Sequence, residues 1–184
     1  MRKTLFLAAA CCLFAVSAFA QKSSDFSGTW TLDVSKSKLD ERARIESMTL
    51  TVTQTDKDIK IDSKTTRAPR PEGAPGAMGG GGGMGRGGGF GMGDASETYT
   101  LDGKETKISQ DGPNGPMPVI LKAKSEAGKL ELSSSRTFSG PMGEVTVSKK
   151  EAWSLADDGK TLTIARENTT PRGTSSSTLV FVKK

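Results

Sequence analysis

The fold is decided by Glu144-Val145-Thr146-Val147-Ser148-Lys149-Lys150-Glu151-Ala152-Trp153-Ser154-Leu155, then Asp157-Asp158-Gly159, then Lys160-Thr161-Leu162-Thr163-Ile164-Ala165-Arg166-Glu167. Val145, Val147, Trp153 and Leu155 share one parity in the first run, and Leu162 and Ile164 share one in the second. Successive side chains of a strand point to opposite faces, so this alternation predicts two strands, each with one buried face. Asp-Gly between two alternating runs is a hairpin signal, because glycine supplies the positive φ of a tight turn.

The same grammar extends in both directions. Upstream, Lys129 to Phe138 reaches the first run through Ser139-Gly140-Pro141-Met142-Gly143, and Met117 to Ser125 reaches Lys129 through Ala127-Gly128. Lys104 to Gln110 follows Tyr99, Leu101 and Asp102-Gly103, and the Pro/Gly chemistry of Asp111 to Pro116 predicts a turn or loop. Thr174 to Val182 closes the chain. At the other end Phe26 to Val34 alternates, and Ser35 to Glu46 loses the pattern and reads as a loop or short surface helix. Met48, Leu50 and Val52 resume it, Asp56-Lys57-Asp58 turns, and Ile59 and Ile61 return.

About ten strands with short turns and no crossover helix predict an antiparallel meander. Closing it removes the bare edges, so the expected fold is an all-β, antiparallel up-and-down barrel of about 8–10 strands. A β-sandwich is the alternative. An outer-membrane barrel fits less well. After residue 20 the aromatics are only Phe26, Trp30, Phe90, Tyr99, Phe138, Trp153 and Phe181, too few for two interfacial girdles.

Arg2 and Lys3, an apolar run from Leu5 to Val16, and Ala18-Phe19-Ala20 predict a signal peptide over residues 1–20 and export to the periplasm or beyond. Residues 21–184 then form one domain, with no later segment apolar enough to cross a bilayer as a helix. The chain has no histidine, and its two cysteines, Cys11 and Cys12, fall inside the leader. The mature chain therefore has no disulfide, no Cys or His nucleophile, and none of the common zinc or copper ligand sets. Loss of Arg2 and Lys3 lowers the formal charge from +5 to +3, too mild and dispersed for a nucleic-acid surface. No cofactor or metal is expected.

Phe26-Ser27-Gly28-Thr29-Trp30 resembles the G-x-W signature on the first strand of lipocalins and their relatives in the calycin group. Trp153 to Leu162 is similar to the Trp-x-Leu-x-x-Asp-Gly-Lys-x-Leu pattern of exported lipocalin-like bacterial proteins. The second lipocalin signature, roughly T-D-Y, is matched only by Glu97-Thr98-Tyr99, and the strand count is nearer to that of fatty-acid-binding proteins. The resemblance implies that Gly28 and Trp30 close one end of the barrel and that a late-strand arginine packs over Trp30. Arg166 is the first choice for that cation and Arg172 the second. By analogy alone, it also implies a small apolar ligand.

Parity places charges inside. Arg136 shares a face with Leu130, Leu132 and Phe138; Lys149 and Glu151 with Val147 and Trp153; Arg166 with Leu162 and Ile164. That is a net interior charge of +2, and buried charges need partners, water or an anion. Three readings stand open. A β-bulge flips the parity and sends Arg136 or Lys149 to solvent; Arg166 is the structural cation over Trp30; or Arg136 and Arg166 hold an anionic headgroup. Arg136, Glu151, Arg166 and Trp153 are thus the candidate ligand-binding residues, with Trp153 equally readable as core filler.

Residues 68–94 form a Gly/Met-rich insertion between strands three and four. Thirteen of the 21 residues from Gly73 to Gly93 are glycine, with Met78, Met84 and Met92 interspersed. Such a tract cannot offset its ordering entropy and is expected to be disordered. The acidic residues otherwise cluster at turns and leave Glu151 as the lone interior carboxylate, a poor basis for acid/base catalysis. The expected function is an exported, non-enzymatic binder of a small hydrophobic or amphipathic ligand, with anionic character allowed. The alternative is a structural or adhesive module with a filled barrel and a sticky glycine-rich flap.

Overall fold

The computed structural model describes residues 24–40, 43–69, 94–112, 115–126, 128–140 and 143–184. The leader and all of the glycine-rich insertion except Ala68, Pro69 and Asp94 lie outside these residues. Ten antiparallel strands form one sheet: β1 (Gly28–Leu32), β2 (Ile45–Gln54), β3 (Asp58–Arg67), β4 (Ala95–Thr100), β5 (Glu105–Gly112), β6 (Gly115–Glu126), β7 (Lys129–Gly140), β8 (Gly143–Leu155), β9 (Thr161–Thr170) and β10 (Gly173–Lys183). The spatial order is β4-β3-β2-β1-β10-β9-β8-β7-β6-β5. Strands consecutive in sequence pair along this order except β4 and β5, which stand at its two ends, so the Asp102-Gly103 turn does not make the expected hairpin. The one non-sequential strand pairing among the described residues is β1 with β10, where Trp30 pairs with Lys183 and Leu32 with Phe181. The sheet curls into a nearly closed up-and-down barrel, and β4 comes to lie beside β6.

The inward parity is apolar and deeply buried, from Trp30 and Leu50 round to Leu162, Leu179 and Phe181. One end is a sealed floor. Residues Ser24 to Ser27 cross it: Ser24 Oγ donates to Gly128 O (3.0 Å), and the Gln54 amide holds Phe26 N (3.0 Å) and Ser24 O (3.1 Å). Phe26 meets Trp153 edge to face, with ring centroids 5.9 Å apart, an arrangement that adds about 1 kcal/mol beyond the area buried. The opposite end receives the β1–β2 connection, both flanks of the glycine-rich insertion, and the β7–β8 and β9–β10 hairpins.

Two local expectations are corrected, and a third is sharpened. Among the described residues Ser35 to Arg44 is a loop, as expected, but one held to the sheet. Asp33 Oδ1 accepts from Ser35 Oγ and Lys36 N to turn the chain, after which Lys38 bridges to Thr178 of β10 through two backbone hydrogen bonds. β2 begins at Ile45, inside that span, and its ladder carries a bulge between Ile45 and Ser47. The extra residue lets Ile45 and Met48, three positions apart, both be buried. Strands β5 and β6 run to Gly112 and from Gly115, so the turn chemistry of Asp111 to Pro116 occupies far fewer residues than its composition suggests.

Candidate functional site

The ladders of β7 with β8 and of β8 with β9 run without register shift from Lys129 to Gly140 and from Ser148 to Leu155. No bulge flips the parity there, so Arg136, Lys149, Glu151 and Arg166 all point inward, as three of the four show by near-complete burial. The side chain of Phe138, assigned to the same face, is outside the described residues.

Glu151 and Arg166 are directly opposite each other on β8 and β9, and Arg166 Nε donates to Glu151 Oε1 at 2.6 Å. Trp153 Nε1 donates to the other carboxylate oxygen at 3.0 Å, and Lys149 Nζ stands 3.9 Å from Oε1. Glu151 is thus fully coordinated. Burial alone would raise its pKa, but Lys149, Arg166 and these hydrogen bonds outweigh burial and bring it from 4.5 down to about 2.

A second carboxylate completes the cluster. Glu97, on β4, accepts from Arg136 Nη2 (3.0 Å), Lys149 Nζ (2.8 Å) and Tyr99 Oη (2.8 Å). Burial opposes its ionised form, yet Lys149 and the two hydrogen bonds hold it below the usual carboxylate range. The Tyr99 hydroxyl is driven the other way, by burial first and by the neighbouring carboxylates next, so it stays protonated and donates. Glu97 shares its strand parity with Tyr99, and this was the readable signal that the turn-centred view of the acidic residues passed over. In this cluster, counted over the described residues, the expected charge of +2 becomes +1: Arg136, Lys149 and Arg166 against Glu97 and Glu151. The lone interior carboxylate becomes two. Both act as ionised counter-ions and neither is poised to donate a proton, so the pair lacks the split titration that acid/base catalysis uses.

The cation over Trp30 is also corrected. Lys183 Nζ, from the last strand, lies 5.1 Å from the Trp30 ring, while Arg166 is engaged with Glu151 and Arg172 sits exposed in the β9–β10 turn. Trp30 Nε1 donates to Phe26 O at 2.9 Å, so both tips of the floor tryptophans are satisfied. Gly28 has φ +135°, and a Cβ there would stand 2.7 Å from Lys183 Cε.

The interior is layered. At the floor, Trp30, Tyr99, Ile59, Leu121, Leu162, Ile164, Leu179 and Phe181 have zero exposure, so no solvent-sized space touches them and this half is packed solid. Toward the opposite end come the five charged groups, Glu97, Arg136, Lys149, Glu151 and Arg166. Several buried polar atoms there have no hydrogen-bond partner among the described residues: Ser177 Oγ beside Arg166, Asn168 Oδ1 beside Lys149, Thr65 Oγ1, and Nη1 of Arg44. Arg44 carries the strained φ of +47°. Leu32, Ile45, Ile61 and Val147, at 7–8% exposure, are the most exposed of the buried core residues described. A concavity of about 760 Å³ is found elsewhere, on the outer surface across β6 to β10, lined mainly by outward residues such as Lys122, Lys150, Ala152 and Ala165.

No family model and no curated protein sequence matches the chain. Among solved structures it is similar to the zebrafish ileal bile acid-binding protein complexed with cholic acid, at 13% identity over 86% of this chain and 98% of that one, with a TM-score of 0.48. It is also similar to the fatty-acid-binding protein of Manduca sexta, at 9% identity over 86% and 99%, with a TM-score of 0.41.

Proposed function

We propose that the protein is an exported, non-enzymatic binder of a small amphipathic anion, held in the half of the barrel away from the floor. The observation that carries this reading is the gathering of Arg136, Lys149 and Arg166 inside the barrel, close to buried polar atoms of Ser177 and Asn168 that have no hydrogen-bond partner among the described residues. Inward cations and polar donors of this kind suit an anionic headgroup. A carboxylate or sulfonate headgroup would be held by Arg136 and Lys149, with Ser177 and Asn168 beside it. The tail would lie against Leu32, Ile45, Ile61 and Val147, because the floor has no room. Trp153 serves this site indirectly, by fixing Glu151. Export rests on the leader-like residues 1–20 and is tested by finding Gln21 as the N-terminus of protein recovered from culture.

The test of binding is displacement of a fluorescent probe by a long-chain carboxylate and by the alcohol of equal length. The carboxylate should bind at least tenfold more tightly, and Arg136→Gln should remove most of that preference. Equal affinities, or no saturable binding, would discard the reading. The solid floor favours a second reading, a structural or adhesive module. Native mass spectrometry showing only the bare polypeptide mass after exposure to mixed lipids would favour it.

A further inference from the structure

The backbone ladders end at β4 on one side and at β5 on the other, so the wall has a seam. We infer that this seam is a side opening of the barrel and that Glu97 is its latch; its use as an entrance rests on the binding reading above. Glu97 stands on β4, and both cations it holds stand beyond the seam, Arg136 on β7 and Lys149 on β8. The carboxylate therefore spans the place where backbone pairing stops. β5 contributes little to closure: Glu105, Lys107 and Ser109 are exposed, and Thr106, Ile108 and Gln110 only half-buried. The hydrogen bond of Thr100 Oγ1 with Thr106 Oγ1 (3.1 Å) ties the two strands only beside their turn.

The ionisable groups around Glu97 are Tyr99 on its own strand, Arg136 on β7, Lys149 and Glu151 on β8, and Arg166 on β9. Glu151 and Arg166 hold each other and stay put when the latch opens. An incoming anion competes with Glu97 for Arg136 and Lys149 and so frees β4, whereas a neutral molecule has nothing to offer those cations. The headgroup charge would then select the ligand at the wall as well as in the site.

Hydrogen exchange read by mass spectrometry on the full chain tests the latch without any ligand. Glu97→Gln should speed exchange of the amides of β4 and β5 at least tenfold while β9 and β10 keep their wild-type rates. Leu162→Ala, a general destabiliser, should speed all strands together. Uniform acceleration in Glu97→Gln, or none, overturns the latch. If that variant does not fold, Arg136→Gln leaves Lys149 on Glu97 and should give a local effect of about threefold. Stopped-flow uptake of a fluorescent long-chain carboxylate tests the entrance. Severalfold faster association in Glu97→Gln supports it, and an unchanged rate beside local exchange overturns it. A wild-type protein that takes up no such compound overturns the binding reading, and the exchange data still decide the latch.

Discussion

Glu151 shows how much can hang on one side chain. Its folded pKa of about 2 lies below the ordinary 4.5, so its contribution to stability is complete above pH 4.5 and is lost as pH falls toward 2. The linked free energy is on the order of 3 kcal/mol. Urea unfolding at a series of pH values should show stability dropping across that window. Glu151→Gln should be less stable at pH 7 by about 3 kcal/mol and have a flatter profile there. Gly28 gives a second prediction. Gly28→Ala should destabilise by about 1–3 kcal/mol, because it needs φ +135° and meets Lys183 Cε. Adding Lys183→Ala should relieve the contact and leave the backbone strain, so the double-mutant cycle should be non-additive. Strand parity made the inward direction of Arg136, Lys149, Glu151 and Arg166 legible, and it would have yielded Glu97 from Tyr99. The cation over Trp30 was not legible. Arg166 and Lys183 sit on neighbouring strands, and only the register, Trp30 opposite Lys183, decides between them.

The strands differ in how much they hold. β9 buries Leu162, Ile164 and Arg166 between two full neighbours, whereas β5 pairs on one side only and buries no described side chain. Leu162→Ala should therefore cost about 2–5 kcal/mol, and Ile108→Ala no more than about 1.5 kcal/mol, measured as shifts of the urea midpoint at constant m-value. All ten strands were readable from alternation and turn residues, because local chemistry sets where the chain turns; it did not show that β4 and β5, joined at Asp102-Gly103, stay unpaired. Ser35 to Arg44 was legible as a loop, but its course was not, because the contacts that hold it come from β10. Lys38 finds Thr178 only once the last strand is in place. The bulge in β2 was likewise hidden, since it corrects a parity that appears broken only when Ile45 is known to be inside.

At the scale of the whole molecule, closure depends on one joint between the two extremes of the chain. Removing Phe181 to Lys184 deletes every partner of β1 in that ladder, Trp30↔Lys183, Thr31↔Val182 and Leu32↔Phe181. The shortened chain should lose cooperative unfolding, followed by the fluorescence of Trp30 and Trp153, both at the floor. Refolding of the intact chain should fall in the millisecond-to-second range, since its last pairing closes the longest loop available. The barrel class was legible from strand number and turn length. Its layering was not, because parity says which side chains point inward but not how fully they fill the space. The β1–β10 joint also governs synthesis. A ribosome making this protein releases nine finished ribbons before the tenth exists, and those ribbons have no wall to shut. The nascent sheet thus stays an open strip until β10 has been made, because no other strand pairs with that side of β1.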